Sequence, residues 1–386
     1  MIEASLIADS TSPAVCAESV NAVLLAMAAA ASKAPSGDNL QPWTLRVDAE
    51  SQCLEVWLEE HVDRSSLNSG QRMSRIACGA SIECAVCSAH DYGWTTEVEL
   101  VDHAQAERRC VARVYLREFN DKDAIGSSQR LIAARTTNRR LYDRAPVSAD
   151  TLATLNCATP PCDGSSVHWI VERDCIDAFA QLVARADVML FGEPSMRRAF
   201  LKNLRFDLPL NASAECGLPL GALGVSAFER LTLSSLRFTP DWLFNLTPAP
   251  RMFARYAGKL IRSSSGLCIV AADSSPHGEL RAGRAMFRAW LELTAHGMAV
   301  QPMMSCIAMT QAIECGSPEL IRALGLKKLR AFAADFRTAL ATLGIRGSPQ
   351  FLMRFGYAPA PLCRAGRLPL SKVIRDSGVH YVATTN

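Results

Sequence analysis

Two glycine pairs at equal separation constrain this chain more than any other feature: Gly79 with Gly93, and Gly283 with Gly297. Each pair frames a segment of helical periodicity. Met73, Ile76, Ala77, Ala80, Cys84 and Cys87 recur at that spacing within 71–92, and 279–296 reads as a counterpart helix closed by Gly297. The flanking elements repeat as well. Ser12-Pro13 opens a helix whose apolar face runs from Val20 to Ala31 and stops at Pro35 and Gly37. Residues 43–47 and 54–58 form a hairpin, and strands follow near 96–101 and 111–116. A polar stretch at 120–128 is the candidate linker. Beyond it come a helical segment around Leu131, a strand at 167–171 and a helix over 176–190. The apolar run 266–272 predicts a strand buried on both faces. The expected fold class is therefore α+β, two fused α/β units over 1–125 and 126–386, and 386 residues suffice for both. Residues 192–265 break the pattern. Rich in Leu, Phe and Pro, they read as a mostly helical insertion covering a pocket; a structural excursion without function is the alternative.

The segment Ala34-Pro35-Ser36-Gly37-Asp38-Asn39-Leu40-Gln41-Pro42-Trp43 joins the first helix to the first strand. It makes a tight turn that presents N–H groups, a hydroxyl and two amides. Asn39 and Gln41 each carry donors and an acceptor, which suits a planar heterocycle with carbonyls and ring nitrogens. A capped helix end serves equally well by chemistry alone. Arg135-Thr136-Thr137-Asn138-Arg139-Arg140 places arginine, hydroxyl and arginine at alternate positions, an arrangement that can gather around one phosphate. A solvated cationic surface is the other reading. Gly297 to Ser305 is a Met-rich loop after the long helix, and it serves equally as a core turn. Arg354-Phe355-Gly356-Tyr357-Ala358-Pro359 is followed by Arg364 and Arg367.

The first of these segments resembles the APSxxNxQPW signature of the FMN-dependent nitroreductase family. The second resembles that family's RxSxR phosphate motif, with Thr137 in place of serine. The last resembles its C-terminal GYP segment and the basic residues that follow. The resemblance spans most of the chain and is specific over four short stretches. It implies that Pro35, Ser36, Gly37, Asn39 and Gln41 contact a flavin ring and ribityl chain. It implies Arg135, Thr137, Arg139, Arg364 and Arg367 at the phosphate, Arg367 being favoured over Arg364, and backbone N–H groups of Met303, Met304 and Ser305 at the redox-active edge. The motifs are unevenly shared. Only the second half has RxTxR, and Pro160-Pro161-Cys162-Asp163-Gly164-Ser165 stands where its ring-binding turn belongs, without the asparagine. The layout is similar to the twin-domain Acg-like branch: a pseudo-dimer in one chain, one FMN site, a lid from the second half, and a monomer through internal duplication.

Other classes find little support. A net charge of +3 with no dense Lys/Arg run argues against nucleic acid. Met1-Ile2-Glu3-Ala4 lacks a basic head, and no apolar run approaches the ~20 residues that cross a bilayer. A cytoplasmic protein without membrane contact is expected. Fourteen cysteines show no disulfide framework, and the lone CxxC of Cys84 and Cys87 lies on a helix core face. No GxGxxG, GxxxxGK, HExxH or GxSxG occurs, and neither a metal site nor a catalytic side chain is expected. The function implied by the resemblance is hydride transfer from a donor such as NAD(P)H through FMN to a small organic substrate. An FMN storage protein and a biosynthetic flavin-dependent dehydrogenase or oxidase are the alternatives. Arg205 and Trp242, in the insertion, read as ordinary residues in preference to ligand contacts, which are the alternative.

Overall fold

The structure is a computed structural model that describes residues 13–102, 109–120, 126–224, 227–247 and 249–375. The first half comprises α1 (Pro13–Ala31), β1 (Trp43–Asp48), β2 (Cys53–Leu58), α2 (Arg72–Asp91), β3 (Trp94–Leu100) and β4 (Cys110–Phe119). The second opens with α3 (Ser128–Ala134), α4 (Ala149–Ala158) and β5 (Ser166–Ile170). A helical excursion follows: α5 (Arg173–Gly192), α6 (Pro194–Lys202), the short strands β6 (Leu204–Arg205) and β7 (Leu218–Pro219), α7 (Ala227–Leu236), α8 (Asp241–Leu246) and α9 (Ala249–Arg262). The chain then returns through β8 (Gly266–Ala272), α10 (Pro276–Ala295), β9 (Ala299–Pro302), α11 (Ser305–Glu314), α12 (Pro318–Leu324), α13 (Leu326–Thr342), β10 (Ser348–Gly356) and α14 (Leu370–Val373). Ser12 and most of the candidate linker, 121–125, lie outside the described residues.

The fold is α+β, and the two halves repeat one topology. One four-stranded sheet runs β1-β2-β4-β3 and the other β5-β8-β10-β9, so each is ordered first, second, fourth, third. All pairings within both are antiparallel. The second half adds the excursion between β5 and β8, where the first half has only the turn joining β1 to β2. It adds α11–α13 between β9 and β10 as well. The excursion begins at α5, earlier than residue 192, because α5 packs along α9. The α11–α13 addition gave no sequence signal beyond its apolar spacing.

Between the halves α2 crosses α10. Their closest point is glycine on glycine: a Cβ on Gly79 would lie 2.9 Å from the Gly283 Cα and 2.1 Å from the Leu280 carbonyl oxygen. The reciprocal contact sets a Gly283 Cβ at 2.9 Å from the Gly79 Cα and 2.1 Å from the Ile76 oxygen. Only residues without side chains let the backbones meet so closely. Buried ion pairs close the crossing on either side, Arg72 Nε to Glu279 at 2.8 Å and Arg284 Nε to Glu83 at 2.8 Å. β8 is buried along its whole length because it divides two cores. Cys268, Val270 and Ala272 face the core shared by α2 and α10, whereas Leu267, Ile269 and Ala271 face the core under α5, α11 and α13. Cys84 is buried and free in the first of these, and no metal-binding cluster occurs among the described residues.

Candidate functional site

The turn after α1 is strained where its chemistry is concentrated. Asp38, Asn39 and Gln41 have φ of 48°, 58° and 56°. Left-handed backbone at residues with side chains costs about 1–3 kcal/mol each and persists only where the surroundings over-determine it; Asn and Asp bear it best. Here two distant segments do so. The Gln41 N–H donates to Ser36 Oγ at 2.9 Å. From the C-terminal segment, Arg367 donates to Asn39 Oδ1 at 2.9 Å and to the Ala34 oxygen at 3.1 Å, and the Leu368 N–H donates to Gln41 Oε1 at 2.9 Å. From the excursion, the carbonyls of Ala214 and Glu215 accept from Asn39 Nδ2, and that of Glu215 accepts from Gln41 Nε2 at 2.7 Å. Asn203 Nδ2 reaches Asp38 Oδ2 at 2.8 Å.

The arginine-rich loop is extended. Thr137 bridges Val300 of β9 in parallel, and the Asn138 N–H donates to the Val300 oxygen at 2.9 Å. Alternation along extended chain turns 135, 137 and 139 to one side. Behind the loop stands Arg354, fully buried on β10. Its Nη2 donates to the Arg140 oxygen at 2.6 Å, and its guanidinium lies 3.7 Å over the Tyr142 ring, whose hydroxyl donates to the Asn138 oxygen at 2.7 Å.

Turn and loop meet across a cavity of about 310 Å³. Pro35, Ser36 and Asn39 line it from the first half, and Arg135, Thr137, Arg139, Arg364 and Arg367 from the second. Gly37 and Gln41 belong to the same turn without reaching the wall; Gln41 holds the turn from behind. Lys33, Thr136, Leu218 and Ala222 also line the cavity and were missed. Lys33 adjoins the signature and could have been found by its charge. Leu218 and Ala222 come from the excursion, where no pattern marks them.

No carboxylate lines this cavity, while five cationic side chains do: Lys33, Arg135, Arg139, Arg364 and Arg367. Burial, and then the charges of Arg367 and Arg364, push the Arg135 guanidinium down to about 9. Burial likewise pushes Arg367 down to about 10. Burial lowers Arg139 against the opposing pull of Asp38. A guanidinium keeps its proton in proteins, so the folded chain concentrates mutually repelling charge in partly desolvated space. Arg135 lies 4.7 Å over the Trp290 ring, and its buried Nε has no hydrogen-bond partner. Arg135, Arg364 and Arg367 influence one another, whereas Arg139 answers to Asp38 and Tyr142. The four arginines thus form a trio and a separate fourth, rather than one Arg135–Thr137–Arg139 cluster, with Lys33 as the fifth cation on the wall.

Met303, Met304 and Ser305 do not line the cavity. The Met303 N–H is spent on the Leu352 oxygen at 2.8 Å, and the side chain is buried in the core beside α11. Ser305 starts α11 and bonds Asp187, whose carboxyl burial pushes up to about 6 against that bond. Arg205 forms a surface pair with Asp207, and Trp242 is exposed; neither lines the cavity.

No family model matches the chain. It is 28% identical over 342 residues, 87% of its length, to the uncharacterized protein MT1398 of Mycobacterium tuberculosis (strain CDC 1551 / Oshkosh), and spans 46% of that protein's length. Among solved structures it is similar to the FMN-dependent nitroreductase NfnB of Mycobacterium smegmatis in complex with NADPH, with 20% identity, 65% of this chain and 98% of that one covered, and a TM-score of 0.35. A nitroreductase with bound FMN from Bacteroides fragilis NCTC 9343 shows 14% identity, coverage of 67% and 96%, and a TM-score of 0.30. The FMN and NADPH-dependent nitroreductase NfnB of sphigopyxis sp. strain HMH shows 16% identity, coverage of 65% and 99%, and a TM-score of 0.35. Likeness this remote carries no argument about chemistry, which rests on the cavity.

Proposed function

We propose that the chain is an FMN-dependent oxidoreductase of nitroreductase type, with one flavin held between its two halves. The observation that carries the reading is the cavity. Its five cations, unopposed by any lining carboxylate, face a strained turn that matches a ring-binding signature. A dianionic phosphate would relieve the repulsion within the trio and give the orphaned Arg135 Nε a partner. The volume stands at the lower end of the ~300–1,000 Å³ typical of small-molecule sites. Arg135, Arg364, Arg367 and Thr137 would hold the phosphate, and Pro35, Ser36, Asn39 and Arg139 the remainder of the molecule. FMN, when bound, supplies hydride-accepting and hydride-donating chemistry. The protein's part is to fix the cofactor, tune its charge and exclude water, with no side chain needed as nucleophile. NAD(P)H is the proposed donor and a small organic molecule the acceptor. Because both walls come from one chain, a monomer suffices for a complete site.

The visible absorption spectrum of the purified protein tests this directly. One flavin per chain is expected; a colourless protein that takes up no FMN on titration removes the reading. A second reading, FMN storage with little turnover, draws on the excursion. Its carbonyls at 214 and 215 occupy the amides of Asn39 and Gln41, and Gly217 accepts from Asn39 as well, so the strap is bonded to the turn it covers. Rapid bleaching by NADPH or NADH in a stopped-flow instrument supports the enzyme; an unreduced yellow protein supports storage. A biosynthetic dehydrogenase or oxidase would be separated by substrate screening.

A further inference from the structure

The helices α7 to α9 form the outer layer of the excursion, and their two sides differ sharply. The inner side is satisfied: Leu204, Leu218, Leu220 and Leu233 make a small core backed by Phe200, Phe206 and Phe253. On the outer side Leu231, Phe238, Trp242, Leu243, Leu246 and Met252 are exposed, Phe238 to 81%, Leu246 to 77% and Trp242 to 67%. Isolated exposed apolar residues need no explanation, but six of the thirteen large ones among the described residues fall within these 22 positions. Cations are interleaved with them. Helix α9 contains Arg251, Arg255, Lys259 and Arg262 and no Asp or Glu. Arg251, Arg255 and Lys259 recur every four residues on its exposed side, next to Met252, while Ala254, Ala257, Gly258 and Ile261 are buried on the other. Asp241 of α8 is already bonded to Arg197 at 2.5 Å.

We propose that this face seats the protein on the surface of an anionic lipid bilayer. Arg262 pairs with Asp177 at 3.5 Å, but Arg251, Arg255 and Lys259 have no acidic partner among the described residues; bulky apolar tips and a tryptophan among such cations are the composition of an interfacial element, which lies in the headgroup layer rather than crossing it. No helix among the described residues is long and apolar enough to cross a membrane. Surface association asks for no such helix, and it revises the expectation of no membrane contact. Positive charge selects an anionic surface, and the apolar tips select lipid over a purely polar polyanion. A self-associating patch would need self-complementary charge, which α9 does not offer.

The test is co-sedimentation of the full protein with vesicles of equal parts phosphatidylcholine and phosphatidylglycerol, against pure phosphatidylcholine. Binding to the mixed vesicles alone, weakened by salt, is expected. One variant carries Arg251→Gln, Arg255→Gln and Lys259→Gln; a second carries Phe238→Ser, Trp242→Ser and Leu246→Ser. Each cation near an anionic surface contributes roughly a factor of five, so the first variant should lose on the order of a hundredfold in partitioning. The second should stop sedimenting. Neither touches the cavity, so bound flavin should be unchanged in both. If one variant is misfolded by circular dichroism, the other and the lipid dependence of the unaltered protein still decide. Equal binding to both vesicle types, binding to neither, or a dimer that the second variant dissolves would each overturn the proposal.

Discussion

Replacing Gly79 with alanine tests the crossing on which the two-sided site depends. The new methyl would begin 2.1 Å from the Leu280 oxygen, where ordinary contact begins near 3.4 Å. The helices must therefore part locally by about 1.3 Å, since the obstructing atoms are backbone. Overpacking costs about 1–3 kcal/mol, and with no flexible side chain to yield, the upper value applies. Alanine returns about 1 kcal/mol of helix propensity, leaving a net loss of ~2 kcal/mol. Gly283→Ala meets the mirror-image obstruction and should lose as much. The double variant should not lose the sum, because an opening made for one methyl admits the other. A coupling of about 1–2 kcal/mol is expected, so that the double stays near 2–3 kcal/mol. Urea unfolding of flavin-free protein measures all three, and the flavin retained per chain should fall in parallel, since the turn and the arginine loop sit on opposite halves. Single variants within ~0.5 kcal/mol of the parent, or strictly additive losses, would refute the reasoning.

Arg139→Ala should weaken FMN binding by about 10- to 150-fold in a fluorescence titration, the worth of one charge-assisted hydrogen bond; unchanged affinity would remove Arg139 from the site. Inorganic phosphate should raise the melting temperature of the flavin-free protein by relieving the arginine trio, and Arg135→Gln should abolish most of that rise. Asp187 titrates near 6 when folded, against 3.8 for the free side chain, so the folded state holds the proton more tightly. Its contribution is fully present below about pH 4 and is lost as pH rises through 6; Asp187→Asn should flatten that decline, gaining at most ~3 kcal/mol at neutral pH. Iodoacetamide at pH 8 should label exposed Cys157, Cys162 and Cys315 in the native protein and spare Cys78, which burial pushes up to about 12. Labelling of Cys78 at the rate of Cys315 would contradict the packing of α2.

What the sequence disclosed followed the reach of each signal. Gly79 and Gly283 stood out by their equal separation from Gly93 and Gly297; rather than framing the helices they lie inside α2 and α10, where close approach admits one residue type. The 266–272 run was visible because a strand between two cores cannot alternate with polar residues. The turn at 35–41 was readable as a turn, but its bonds to 214, 215 and 367 join positions that no local pattern links. The same holds for Arg354, whose role is to hold the Arg140 carbonyl from across the sheet. The role expected of Met303–Ser305 rested on the resemblance alone, because a Met-rich loop reads equally as a core turn. Leu218 and Ala222 were out of reach for a simpler reason: a wall residue without charge or constrained backbone leaves no trace in a single sequence.

The departures from internal symmetry bear on how many sites the chain can hold. In the first half the turn between α1 and β1 is held in left-handed backbone by the C-terminal segment and the excursion. Its topological equivalent between α4 and β5 closes on itself: Cys162 and Ser165 exchange backbone hydrogen bonds of 3.0 and 2.8 Å, and Asp163 and Gly164 carry the positive φ. Cys162, Asp163 and Gly164 are exposed. The 162–165 turn spends its polar groups on one another, whereas the 36–41 turn adds to its internal bonds others to the excursion and the C-terminal segment. Long-range bonds at 38–41 and local ones at 162–165 therefore argue that the two halves have specialised, one presenting the turn and the other the charges. On that reasoning, transplanting asparagine into the self-closed turn should not create a second flavin site, because no arginine trio faces it. A variant with Asp163→Asn that bound two flavins per chain would show the asymmetry to be incidental.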